Sequence, residues 1–163
     1  MPDLLPFCKW LEQTSIGAAI RESLWLFPAL ETLHLLGMAA LLGTIAAFDL
    51  RLLGWMLRRQ RVSDLAPRLL PWTWVGFALQ VLTGTLIFMS EAAKVYTNPA
   101  FRLKMLLIFL AGLNALIFHR TVYRHAASWE DTGVTPVRAK LAGFISLLLW
   151  VGVVAAGRFI GFV

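Results

Sequence analysis

Four stretches of this chain are apolar over lengths that match the thickness of a membrane. The first runs from about Pro28 to Trp55, and its centre, Thr32 to Phe48, holds no Asp, Glu, Lys or Arg. The second lies between Arg68 and Glu91, with no ionisable residue from Leu69 to Ser90. The third runs from Pro99 to about Tyr123, and the fourth from Pro136 to Val163, uncharged between Lys140 and Arg158. About 20 apolar residues, within a range of roughly 17–25, cross a bilayer core as a helix, so all four qualify. Composition agrees: 59% of the residues are hydrophobic and 15% charged, against about 45–50% and about 25% in a soluble domain. A soluble domain of 163 residues has no interior large enough for that much apolar surface. A soluble enzyme, a disordered chain and a disulfide scaffold are disfavoured. The single cysteine, Cys8, excludes an internal disulfide.

The expected fold is all-α: a four-helix transmembrane bundle with an N-terminal amphipathic interfacial helix. Residues 1–27 form the amphipathic segment. Residues 28–163 form the membrane domain, with helices at about 28–56, 69–91, 99–124 and 136–162. Pro28, Pro71, Pro99 and Pro136 stand near the starts of the spans, where a missing N–H costs nothing. No proline is expected inside a span, and so no proline kink. Between Asp3 and Leu24, Leu4, Phe7, Cys8 and Leu11 recur at helical spacing among Asp3, Lys9, Glu12 and Gln13, as in a helix lying on a membrane surface. This region lacks the basic start and apolar core of a signal peptide.

The net charge of +6 does not point to nucleic acid, because the basic residues sit between apolar runs as topology determinants. Arg58, Arg59, Arg61 and Arg68 follow the first span, and Arg120, Arg124, Arg138 and Lys140 surround the third loop. The positive-inside rule puts both loops in the cytoplasm and both termini outside. Trp25, Trp55, Trp72, Trp74, Tyr96, Tyr123 and Trp129 fall near span ends, as interfacial aromatic belts do.

Ionisable residues at membrane depth are costly and are functional suspects by default. Glu31 and His34 on the first span, Lys104 on the third and Arg158 on the fourth share the outer level. At 100° per residue, Glu31, His34, Met38 and Asp49 lie within about 60° of one another. These residues suggest a polar pocket: His34 as ligand to a haem iron or metal, Glu31 orienting its ring, and Lys104 and Arg158 neutralising haem propionates or an anionic substrate. The alternative is an ion-pair network in which Glu31 meets Arg158 or Lys104. At the inner level, Asp49 reads as one half of a rim salt bridge with an arginine, and His119 and His125 as interfacial residues. His34 and His119 cannot bind one iron, because helix rise separates their depths by roughly 20 Å. Haem b is therefore expected at His34 or nowhere, with Met38, Met89, an open site or a neighbouring subunit opposite. Gly37, Gly43 and Thr44, with Gly76 and Gly84, permit close helix approach. Gly157 and Gly161 have the GxxxG spacing of helix-pairing motifs. Gln80 and Asn114 read as interhelical hydrogen-bonding groups. No motif assigns an enzymatic reaction.

The strings Glu31-Thr-Leu-His34-Leu-Leu-Gly37-Met38, Asp49-Leu-Arg51-Leu-Leu-Gly54, Phe101-Arg-Leu-Lys104 and Gly157-Arg158-Phe-Ile-Gly161 resemble an uncharacterised family of small four-span bacterial membrane proteins, a domain of unknown function. The resemblance runs from Trp25 onward. It implies four helices and a bacterial inner membrane, and no activity. A more distant architectural similarity reaches the copper-resistance D-type membrane proteins and four-helix haem proteins of the protoporphyrinogen oxidase J type. Three functions stay open: a non-catalytic accessory or scaffold subunit, a haem- or metal-binding redox protein using His34, and a small ion or metal carrier. The expected partners are membrane lipids and either further copies of this chain or another membrane protein.

Overall fold

A computed structural model describes residues 4–130 and 134–162. Asp3 of the amphipathic stripe lies outside the described residues. Two short helices open the chain, α1 (Leu5–Gln13) and α2 (Ser15–Glu22). The four apolar stretches form α3 (Leu26–Leu53), α4 (Val62–Ser90), α6 (Pro99–Thr121) and α8 (Val137–Phe159). A short α5 (Ala92–Thr97) joins α4 to α6, and a 3₁₀ turn (Tyr123–His125) with α7 (Ala126–Glu130) follows α6. The long helices are long and apolar enough to cross a membrane. Their outward residues include Leu36, Leu82, Phe109 and Val151, each more than 60% exposed. Water would not tolerate that surface, and lipid satisfies it. The protein is a multi-pass membrane protein.

The four long helices form an open array. α3 packs on both α4 and α8, and α8 packs on both α3 and α6. The order across the array is therefore α4–α3–α8–α6. Among the described residues no Cα atoms of α4 and α6 come within 8 Å of each other, and the two helices meet through the Phe88 and Phe101 side chains.

Glycines set the two seams of α3. A Cβ on Gly76 would stand 2.7 Å from the Leu41 amide nitrogen, and one on Gly37 would stand 2.9 Å from Leu79 Cβ. On the other side a Cβ on Gly143 would stand 3.1 Å from the Asp49 carbonyl. Backbone lies on backbone at both crossings, the arrangement small residues allow in membranes. Gly43 has open space instead.

The end that carries Arg58, Arg59 and Arg61, here the basic end, is closed by a core of Leu52, Val62, Phe118 and Ala139, with Phe48, Tyr123 and Trp129 packed around it. This core explains why α4 begins at Val62, earlier than the sequence suggests. Val62 and Leu65 are buried, and the Glu130 carboxylate accepts from the Ser63 amide at 2.8 Å and the Ser63 hydroxyl at 2.7 Å. With its start anchored, the helix runs through Pro67 and Pro71, so the expectation of no proline inside a helix is corrected. Each proline removes one main-chain bond of the helix, and tertiary packing outweighs that loss.

At the opposite end α1 and α2 sit on protein as well as at the surface. Glu12 Oε1 accepts from the Ala93 amide at 2.8 Å, and Arg21 donates to the Glu12 carbonyl at 3.3 Å and the Ser90 carbonyl at 3.5 Å. The amphipathic segment thereby supplies donors and acceptors to helix termini that have no intrahelical partners. Cys8, Gly17 and Ile20 are buried beneath it.

Candidate functional site

The residues singled out at the outer level separate in three dimensions. His34 sits on the α3–α4 seam. Its Nδ1 lies 2.8 Å from Thr83 Oγ1. The Thr83 hydroxyl donates to the Leu79 carbonyl at 2.6 Å, so it accepts from His34, which assigns the proton to Nδ1. Gln80 Nε2 donates to the His34 carbonyl. A Cβ on Gly84 would stand 3.2 Å from His34 Cε1, so the ring lies close against α4. Lys104 runs along Gly157 of α8, its Nζ 3.7 Å from where a Cβ would be, and its charge lies within electrostatic reach of His34. Gly157 thus makes room for a lysine stem of the same chain.

Glu31 is exposed. Arg158 is exposed too, with its guanidinium 5.4 Å from the centre of the Phe162 ring. Among the described residues no ion pair within 4.0 Å joins Glu31, Lys104 or Arg158 to another side chain. The structure therefore brings Lys104 towards His34 and leaves Glu31 and Arg158 at the rim. The residues at His34 offer one imidazole, hydrogen-bonded at Nδ1 and close against α4, with the Lys104 ammonium within electrostatic reach. Among the described residues no three His, Cys, Asp or Glu side chains converge. The groups at His34 join helices.

A second polar locus lies in the half of the bundle nearer the basic end. Because the α4 and α6 backbones stay apart, a cleft of about 470 Å³ is left among α3, α4, α6 and α8. Its walls are largely apolar and aromatic, including Phe48, Trp74, Phe77, Phe118 and Trp150. Asp49 faces it and is only 5% exposed. The Ser146 side chain lies beside the Asp49 carboxyl, and the carboxyl oxygen Oδ2 is buried without a hydrogen-bond partner. Thr73 donates to Thr44 at 2.9 Å on the α3–α4 wall, and Asn114 donates to the Ala142 carbonyl at 3.0 Å on the α6–α8 wall. His119 borders the cleft on α6 and packs edge-on against Tyr123, 5.1 Å between ring centres.

The cleft is bounded at both ends. Towards the opposite end, Phe88 of α4 stacks on Phe101 of α6, 5.4 Å between centres. Towards the basic end, Glu130 ties α7 to the start of α4. Asn98 Nδ2 also donates to the Ile160 carbonyl at 3.1 Å, joining the α6 start to the α8 end.

Asp49 is the site residue that sequence reasoning misplaced. The expected arginine partner is turned away: Arg51 donates from Nε to the Gln60 carbonyl at 2.6 Å. Among the described residues no ion pair within 4.0 Å involves Asp49. Physically, Asp49 lies on the α3 face that carries Leu41, Ile45 and Leu52, and that face turns inward. The spacing of those apolar residues was the available signal.

The family of unknown function DUF6644 matches residues 7–163, and the chain belongs to that family. No curated protein and no solved structure matches the chain.

Proposed function

We propose that this member of a family without an assigned activity is a non-catalytic accessory subunit of a bacterial inner membrane, which holds a lipid-phase guest between α4 and α6. The carrying observation is the cleft of about 470 Å³ between two helices whose backbones stay apart along its length. Interiors are close-packed, and pockets of roughly 300–1,000 Å³ are the size that holds small-molecule ligands. The Phe88–Phe101 stack and the Glu130–Ser63 bonds brace the ends of the gap, so the opening belongs to a held frame. Positive-inside reasoning orients the protein with Arg58, Arg59 and Arg61 in the cytoplasm and both termini outside. The shallow recess formed by Arg51, Arg58, Arg59 and Arg61 then meets anionic headgroups.

Photo-crosslinking in native membranes tests this reading. A benzophenone side chain at position 116, which borders the cleft, is compared with one at position 151, which is 67% exposed on α8. Position 116 should yield a discrete adduct that position 151 lacks. Identical adducts at both positions, in proportion to bulk lipid, would remove the proposal.

A further inference from the structure

The proposed cleft has one carboxyl group built into it. No lysine or arginine lines it, so the Asp49 carboxyl has no counter-ion there. Ser146 lies beside the carboxyl, and Oδ2 is buried with nothing to accept from. A carboxyl oxygen orphaned at membrane depth is expensive. It persists where a bundle must provide an acceptor to something else. The hydroxyl hydrogens nearby are spent: Thr44 donates to the Ala40 and Leu41 carbonyls at 2.9 Å, and Thr73 to Leu69 at 3.0 Å and to Thr44. The other titratable side chain on the cleft is His119, across on α6.

Resting on the reading of the cleft as a guest site, we infer that it binds a lipophilic amine, whose ammonium donates to Asp49 Oδ2 and whose apolar body lies between α4 and α6. Three properties agree. The acceptor lacks a partner. The aromatic walls, Phe48, Trp74, Phe77, Phe118 and Trp150, attract cations through their ring faces. The separation of the α4 and α6 backbones beside the cleft lets a membrane-dissolved molecule enter sideways. A fatty acid of equal length would bring a second negative charge against Asp49 and is rejected.

The test uses the full chain in nanodiscs of zwitterionic lipid, with tryptophan fluorescence as the readout, since Trp74 and Trp150 border the cleft. The probes are 12-bromododecylamine and 12-bromododecanoic acid, whose bromine quenches tryptophan. The amine should quench saturably and the acid only in proportion to its partitioning into the bilayer. Asp49→Asn should weaken the amine by about tenfold or more, the scale of a lost charge-assisted bond. Ala115→Phe, which leaves Asp49 in place and fills the cleft from α6, should abolish saturation. If both probes saturate equally and both lose saturation in Ala115→Phe, the guest site stands and the amine inference is overturned. If neither saturates in the parent protein, the amine inference and the guest-site reading both fall.

Discussion

The α3–α4 seam and the α4–α6 gap use the same helix in opposite ways. On its α3 side α4 presents Gly76, which lets backbones touch, and Thr83 and Gln80, which bond His34 across the interface. Polar groups on that side are partnered. On its α6 side α4 presents bulky residues to an open cleft, and the carboxyl bordering that cleft keeps an unpartnered oxygen. An ionisable residue at membrane depth is therefore not diagnostic by itself. His34 is interhelical glue, whereas Asp49 is an acceptor held beside empty volume. The difference lies in whether the neighbouring helix closes on it.

Substitutions along α4 and its neighbours probe this contrast, and the largest effect is expected at the seam. Gly76→Ala forces a methyl into the Leu41 backbone and should cost about 3 kcal/mol or prevent folding, as read by denaturant titration in mixed micelles. The matched change on the gap side, Gly112→Ala, meets open space and should gain about 0.5 kcal/mol from helix propensity. Equal losses at both positions would mean that α4 and α6 close on each other in the membrane.

Glu130→Ala removes both bonds to Ser63 and should cost about 1–2 kcal/mol, the range for losing a helix cap. It should also loosen the basic end of the gap, seen as faster hydrogen exchange at the α4 start. Thr83→Val deletes the partner of His34 and should cost about 0.6 kcal/mol, the average for an interhelical bond in a membrane protein, with the cleft unchanged. Smallest of all is Asp49→Asn, within about 0.5 kcal/mol of zero, because the parent already carries an orphaned oxygen and removing its charge relieves as much as it loses. A large destabilisation there would show that Asp49 is structural, like His34.

Much of this was readable from the residues. The four uncharged runs gave the four spans, because nothing else that is apolar over such lengths is stable in so short a chain. Gly37 and Gly76 marked their own seam, and Pro99 the start of α6. The start of α4 was not legible, because it depends on Glu130, which approaches Ser63 only after the chain has crossed the membrane again. The rotation of the helices was not legible. Arg158, expected beside Glu31 and Lys104, faces outward because Ala139, Gly143 and Val153 define the buried face of α8. Nor was the gap legible. Patterning shows which faces are apolar, but both lipid and a neighbouring helix satisfy an apolar face.

The central claim is that Asp49 is reached from the lipid phase through the α4–α6 gap, and carbodiimide labelling reads it directly. The membrane-soluble reagent dicyclohexylcarbodiimide should modify Asp49, located by mass spectrometry of the digested chain, while a water-soluble carbodiimide should leave it untouched. Glu31, exposed at the rim, should show the reverse preference. Modification of Asp49 by the water-soluble reagent, or by neither, would contradict a cleft that opens to lipid.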